Sequence, residues 1–395
     1  MNQSGPAINV RVSALFACHF FGIGLFLPFF PVVLELRGLN AQQIGLVLGT
    51  GIFLQICANP LLTNISDRTG HRRYSILAYA LLAAVFMALF SAAAGFLFLA
   101  AAAIAYMVFK APVLPLSDAY ALDVSRNTGA DYARMRLWGS AGFVAANLIG
   151  GNLATETGSW LMLVLIAVSC MATGAVVLSL PRQRRRKKGH EEPADTGGNT
   201  PFRTIWFWPV LVLLGLFQAT HSAFYGFGTL YWQANGVADM AIGWLWAIGV
   251  IAEIALFTIA GKLANRFDPS LFLIAAGIAA IIRWGLFPLA DTFLSMAALQ
   301  ILHGLTFGAA HLGAVAILAK VVPSRWAGTG QGLLSTSIGI QMSIGLSVSG
   351  WLYAADVNAP FYAMSMISVV GTLAMIALTP MVRQRMAETA AEGNA

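Results

Sequence analysis

The sequence predicts an all-α integral membrane protein of twelve transmembrane helices, built as two six-helix halves. Three observations predict it. Of 395 residues, 58% are hydrophobic and only 10% charged, where soluble domains carry roughly 25% charged residues. The apolar residues fall into runs near the ~20 residues that a helix needs to cross a bilayer. The chain also repeats itself at an offset of 198 residues, with Gly38, Ile44, Gly45, Asp67 and Arg68 recurring as Gly236, Ile242, Gly243, Asn265 and Arg266. Such a composition excludes a soluble enzyme, because a water-facing shell cannot be made from so few polar residues.

Cutting the chain at charges and Gly/Pro/Asn clusters gives the spans in order. The first, 11–34, is too long for the apolar core of a cleaved signal and is followed by no small-residue cleavage site, so it stays as a helix. Arg37-Gly38-Leu39-Asn40 separates it from 42–63, and the polar run 63–73 separates that from 74–94. The spans 96–121, 136–156 and 159–181 complete the first half, divided by Arg126–Gly129 and by the Thr/Gly-rich run near Gly158. Residues 182–204, RQRRRKKGHEEPADTGGNTPFRT, are basic, then acidic, then Gly/Thr/Pro, and read as a solvated linker. Beyond it follow 206–233, 240–261, 270–290, 293–319, 330–353 and 360–381. The expected domains are therefore 1–181, the linker 182–204, and 205–395 with a short tail. Cys18, Cys57 and Cys170 lie in apolar runs and imply no disulfide framework.

Charge bias predicts orientation. Of the 23 Lys and Arg, only Arg37 falls on the side opposite the N-terminus, and Lys110 and Arg283 fall inside helices. All the others share one side, which predicts a multi-pass inner-membrane protein with both termini cytoplasmic. The same bias accounts for the net charge of +7 without a nucleic-acid partner. A parallel duplication of six-helix units is the plan of a rocking transporter, with its substrate site expected near the midplane between halves.

The stretch Thr63 to Arg73, TNISDRTGHRR, is read as the loop between the second and third helices. It resembles the major facilitator superfamily signature G-x-x-x-D-R-x-G-R-[RK]. Asp67, Arg68, Gly70 and Arg72 match, whereas Thr63 and His71 depart from it. GKLANR, Gly261 to Arg266, resembles the degenerate second copy. An acid and basic residues at adjacent helix ends can pair across a hinge, so these four residues are the candidate conformational gate. Within the superfamily the chain resembles the proton-coupled phenylpropionate permease group, and more distantly lactose permease. The resemblance is carried by FLPFFP (Phe26–Pro31), PLSDA (Pro115–Ala119), YARMRLWGS (Tyr132–Ser140), FYGF (Phe224–Phe227), IRWG (Ile282–Gly285) and QILH (Gln300–His303).

Ionisable groups inside a membrane are costly, about 2.5 to 3.5 kcal/mol at a helix centre on insertion scales, and therefore mark candidate sites. Asp118 and Arg136 straddle the turn Arg126–Gly129 symmetrically, so an antiparallel hairpin brings them to one depth. Resemblance to lactose permease implies that such a pair holds substrate, the alternative being a structural salt bridge. Lys110, two turns before Asp118, suits an anionic substrate or the neutralisation of Asp118. Pro112 and Pro115 lie between them and can kink the helix. In the second half His221, Glu253, Arg283 and His303 lie at similar depth in four successive spans, a candidate proton relay. Arg283 and His303 match the arginine and histidine that lactose permease uses in proton coupling. Thr306 stands where that protein has its proton-carrying glutamate, which leaves Glu253 as the candidate carrier, unless it is a fixed partner of Arg283.

The reading that follows is a secondary symporter importing a small organic anion, an aromatic carboxylate such as a phenylpropionate-like acid, with protons. A sugar or nucleoside symporter and a drug efflux carrier are the alternatives of the same fold. The sequence has no H-E-x-x-H, G-x-S-x-G or Walker loop in the required context, so no enzyme, metal or cofactor is expected. The expected partners are the substrate, protons and the lipid bilayer, and the expected functional unit is a monomer.

Overall fold

The computed structural model describes residues 5–155, 157–181 and 201–393. Most of the expected linker, 182–200, lies outside the described residues. The described chain holds twelve membrane-length helices, some of them interrupted, and no strand. In order they are α1 Gly5–Leu36, α2 Ala41–Thr69, α3 Arg72–Ala92, the pair α4 Phe96–Lys110 and α5 Val113–Thr128, α6 Tyr132–Leu153 and α7 Ser159–Ser179. The pair α8 Phe207–Ala219 and α9 Ser222–Ala234 follows, then α10 Asp239–Arg266 and α11 Pro269–Leu286. The chain ends with α12 Phe293–Ile301, a π-helical segment Gly304–Ala309, α13 Ala310–Val321, α14 Ala327–Ala355 and α15 Ala359–Gly393.

Eleven spans among the described residues are long and apolar enough to cross a membrane. The twelfth is α6, whose hydropathy is diluted by Arg134, Arg136, Asn147 and Asn152. Burial is inverted relative to a water-soluble protein. Leu97, Phe98, Leu294 and Met366 face outward at over 70% exposure, while His221 and Arg283 are fully buried. This is the distribution that a hydrocarbon solvent selects.

The helix ends follow local chemistry. Asn40 and Gln43 form a reciprocal capping box that starts α2, and the Asp131 carboxylate accepts from two N–H groups at the start of α6. Gly38 and Gly236, the repeated pair, both adopt left-handed φ, 85° and 74°. In each turn the next residue's N–H reaches back five residues, Leu39 to Leu34 and Val237 to Trp232, which satisfies an end carbonyl. At this pair of glycines the internal repeat is a repeat of helix termination.

One boundary corrects the sequence reading. The stretch from Thr63 to Arg73 is not a loop, because α2 runs to Thr69 and leaves only Gly70 and His71 between helices. Polar residues do not stop the helix: the Thr63 hydroxyl donates back to the Asn59 carbonyl at 2.8 Å, and Gly70, at φ 69°, caps the end.

By packing, the chain divides into two compact units, Met1–Arg185 with Tyr225–Ala247, and Arg186–Phe224 with Ile248–Ala395. The first unit's core is built from Val12, Leu15 and Phe16 of α1, Ile76 of α3, Val113 and Tyr120 of α5, and Val177 of α7. Within it α10 begins close against α6, since a Cβ on Gly243 would lie 2.5 Å from the Asn147 carbonyl. Gln233 ties the same corner by donating to the Ala154 carbonyl at 2.8 Å and to Asp239 at 3.0 Å. The second unit's core packs Phe207, Leu214 and Phe217 of α8 with Leu273 of α11, Ile317 of α13, Leu334 of α14 and Met375 of α15.

Candidate functional site

In the first unit α4 stops at Lys110, and Ala111 and Pro112 break the helix before α5 begins. Pro112 lacks the N–H that a continuous helix would use, so Lys110 and Asp118 end up on different helices. The Lys110 ammonium lies 4.6 Å from the centre of the Phe26 ring and 5.6 Å from that of Tyr106. Among the described residues no carboxylate lies within ion-pairing distance of it. Aromatic faces stabilise such a cation by roughly 0.5 to 2 kcal/mol, which offsets only part of its desolvation.

The hairpin of α5 and α6 brings Asp118 and Arg136 together, with Nε to Oδ1 at 3.5 Å. Tyr132 donates its hydroxyl to the same Asp118 oxygen at 2.9 Å. The guanidinium of Arg136 also lies over Phe20 and Phe16, 4.0 and 5.4 Å from the ring centres. Arg136 is therefore charge-compensated and stacked, whereas Lys110 is stacked and has no ion pair among the described residues. Arg134 points outward at 88% exposure and pairs with Asp131 at 3.6 Å.

The second unit buries a denser cluster. At Thr220 and His221 the helix breaks between α8 and α9, and His221 fills the break, fully buried. Its Nδ1 lies 3.0 Å from the Gln218 carbonyl and its Nε2 3.0 Å from the Thr306 hydroxyl. Arg283, also fully buried, donates from Nη1 to Thr306 at 2.9 Å and to His303 Nδ1 at 3.0 Å, and from Nη2 to Gln300 at 2.8 Å. Its guanidinium lies 4.4 Å from the centre of the Trp284 ring. A buried cation without such partners would cost several kcal/mol. Glu253 Oε2 lies 3.8 Å from His303 Nε2, an ion-pair distance rather than a hydrogen bond. The structure thus assembles all four titratable residues singled out in this half, in the order Glu253, His303, Arg283, His221. Thr306 bridges the last two.

Thr306 reaches that position because Gly304–Ala309 is π-helical, an insertion that rotates the side chains after it. Gly304 permits the close approach of α10, since a Cβ there would lie 2.8 Å from the Ala252 carbonyl. Gln218 anchors the same segment by donating to the Phe307 carbonyl at 3.0 Å. His311 stands apart from the cluster, edge-on to Phe257.

At the end of α2, Asp67 lies 3.8 Å from Arg72, and Arg72 makes a shorter 2.7 Å ion pair with Asp123 of α5. Arg68 is exposed and makes no ion pair among the described residues. At the repeat of this motif, the side chains of 261, 262, 264 and 265 lie outside the described residues.

Sequence reasoning missed Asp123, which lies 51 residues from Arg72 and belongs to no local motif. It also missed His19, a buried histidine on α1 within electrostatic range of Lys110 and Arg136. The signal for His19 was available, as another ionisable residue inside an apolar run; it lies seven residues before Phe26, hence on the same helix face.

Twelve membrane-length helices that enclose buried, hydrogen-bonded ionisable clusters give the chain the architecture of the major facilitator fold. Residues 10–364 match the MFS_1 like family, and the chain belongs to it. It is 30% identical over 357 residues to the probable 3-phenylpropionic acid transporter of Escherichia coli (strain K12), across 89% of this chain and 93% of that one. It is 24% identical to the maltose permease of Geobacillus stearothermophilus across 95% of both chains. In three dimensions it is similar to the nucleoside transporter NupG, with a TM-score of 0.81 at 16% identity over 96% of this chain and 99% of that one. It is also similar to a D-xylose-proton symporter, with a TM-score of 0.70 at 12% identity over 93% and 96%. The protein is accordingly a multi-pass membrane transporter of a small-molecule substrate.

Proposed function

We propose that the protein imports a small organic monoanion, an aromatic carboxylate of the phenylpropionate type, in symport with protons. One observation carries the reading: in the polar cluster of the first unit, Arg136 is compensated by Asp118, while Lys110 lies against the faces of Phe26 and Tyr106 with no carboxylate partner among the described residues. The cluster has two cations and one carboxylate, so a substrate with one negative charge completes it. A carboxylate on Lys110 with its aryl group against Phe26 uses both halves of that arrangement. The name of the Escherichia coli relative, a probable 3-phenylpropionic acid transporter, supports the same chemistry.

In this reading Lys110, Asp118 and Arg136 bind the substrate, and His221, Glu253, Arg283 and His303 couple it to protons. Glu253 carries the proton, because it is a partly exposed acid in a cluster whose other members, His221, Arg283 and His303, are buried. Asp67, Arg68, Gly70 and Arg72 form the conformational gate. The working unit is a monomer of two halves, 1–181 and 205–395, joined by 182–204, in the inner membrane with both termini cytoplasmic. A reporter fused after residue 190 is then cytoplasmic and one at Asn235 periplasmic, and the reverse pattern contradicts that orientation.

The test is uptake into proteoliposomes of aromatic acids, sugars and nucleosides, with and without an inward proton gradient. Gradient-dependent accumulation of the aromatic acids supports the proposal. Accumulation of sugars or nucleosides instead moves the assignment to Asp118 and Tyr132, whose carboxylate and hydroxyl suit neutral hydroxylated ligands, and gradient-driven export moves it to efflux.

A further inference from the structure

The hydrogen bonds of the second unit fix the polarity of both histidines. A carbonyl only accepts, so His221 Nδ1, 3.0 Å from the Gln218 carbonyl, carries the hydrogen, and the neutral ring offers Nε2 as an acceptor. The Thr306 hydroxyl, 3.0 Å from that nitrogen, is its donor. Arg283 only donates, so it gives one Nη1 hydrogen to the Thr306 oxygen and makes His303 Nδ1 an acceptor. His303 must then carry its hydrogen on Nε2, toward Glu253. Two histidines whose ring centres lie 5.3 Å apart are thus opposite tautomers, oriented from one guanidinium.

The consequence for an added proton differs at the two rings. On His303 the proton must go to Nδ1, where Arg283 already donates, so donor would meet donor. On His221 it goes to Nε2, opposite a hydroxyl that can turn. The Thr306 oxygen has two lone pairs, enough to accept from both His221 Nε2 and Arg283 Nη1. Its own hydrogen then turns to the His303 carbonyl, 3.5 Å away in the present arrangement. Among the described residues, the charged and titratable groups facing this ring include Arg283 from α11 and His303 after α12, with Glu253 of α10 beyond His303. Trp284 and Phe307 lie edge-on to the His221 ring.

We propose that His221, rather than His303, is the histidine of this cluster that takes up a proton, and that Thr306 is the positioning residue whose rotating hydroxyl lets it do so while Arg283 stays bound. The inference deepens the proton-coupled reading above and rests on it for its role in transport: Glu253 remains the carrier there, and His221 is a second group of the cluster that takes up a proton. The hydrogen-bond polarity itself does not depend on that reading.

Nitrogen-15 histidine NMR on the full-length protein in nanodiscs tests it, with His221→Gln and His303→Gln to assign the signals. The expected wild-type spectrum near neutral pH has His221 as the Nδ1–H tautomer and His303 as Nε2–H, and on acidification His221, of these two rings, gives the imidazolium pattern. In proteoliposomes, Thr306→Val should lower proton-driven accumulation at least about 10-fold while substrate counterflow stays within about 3-fold, and Thr306→Ser should restore accumulation. An imidazolium at His303 with His221 unchanged overturns the inference, as does full accumulation by Thr306→Val. If the wild type binds its substrate but shows no proton-driven accumulation, the symport reading fails, and the NMR pattern alone decides the tautomer assignment.

Discussion

Replacing Lys110 with Gln removes the one cation of the first unit's cluster that no carboxylate compensates. The amide keeps most of the side chain's reach and can still donate a hydrogen bond, so the change isolates charge. Removing one partner of a buried charge pair costs on the order of 2 to 5 kcal/mol. Lys110 is only half-buried, which places the effect near the lower end, about 2 kcal/mol or roughly 30-fold in Kd. The assay is equilibrium binding to purified protein of 3-phenylpropionate and of the alcohol with the same carbon skeleton. Lys110→Gln should weaken the acid about 30-fold and the alcohol less than about 3-fold, and Lys110→Arg should recover most of the acid's affinity. Equal losses for acid and alcohol would refute the reasoning, because Lys110 would then be a packing group over Phe26 and the organic-anion assignment would lose its support.

Arg136→Ala strips Asp118 of its ion pair and empties the faces of Phe20 and Phe16, so binding of any substrate class should fall below detection, whereas Asp118→Asn, which keeps the Tyr132 contact, should weaken binding less; calorimetry on the purified variants compares them. Asp123→Asn removes the shorter of the two ion pairs of Arg72, and the exchange Arg72→Asp with Asp123→Arg restores a pair of reversed sign. Transport should fall several-fold in the single variant and recover in part in the exchanged one, as initial uptake rates would report; no recovery would make the contact incidental.

The spans were legible because a bilayer imposes a length and a polarity on every one of them, and charges and glycines mark their ends. The repeat Gly38/Gly236 was readable because left-handed turns leave one residue type at low cost. The pairing of Asp118 with Arg136 follows from counting residues about a short turn. Other features were not local. The π-helical segment that seats Thr306 has no signature in Gly304–Ala309, since five-residue pairing is favoured there by contacts with Ala252 of α10 and Gln218 of α8. The helix break at His221 carries no proline. Asp123 is an unremarked acid until the fold sets it against Arg72. Polar positions could thus be nominated from sequence, but their partners came from helix packing.

In the proposed symport a proton drives the carboxylate inward and Glu253 carries it. Glu253→Gln mimics the permanently protonated acid and leaves Arg283 its bonds to His303, Thr306 and Gln300. The amide keeps the side chain's shape and abolishes its titration without adding charge. The decisive measurement compares wild type and Glu253→Gln in the same proteoliposomes, loaded with labelled 3-phenylpropionate for counterflow and then placed under an inward proton gradient. The result expected is counterflow at near wild-type rates and no uphill accumulation by the variant; accumulation against a gradient by Glu253→Gln would mean that another group carries the proton.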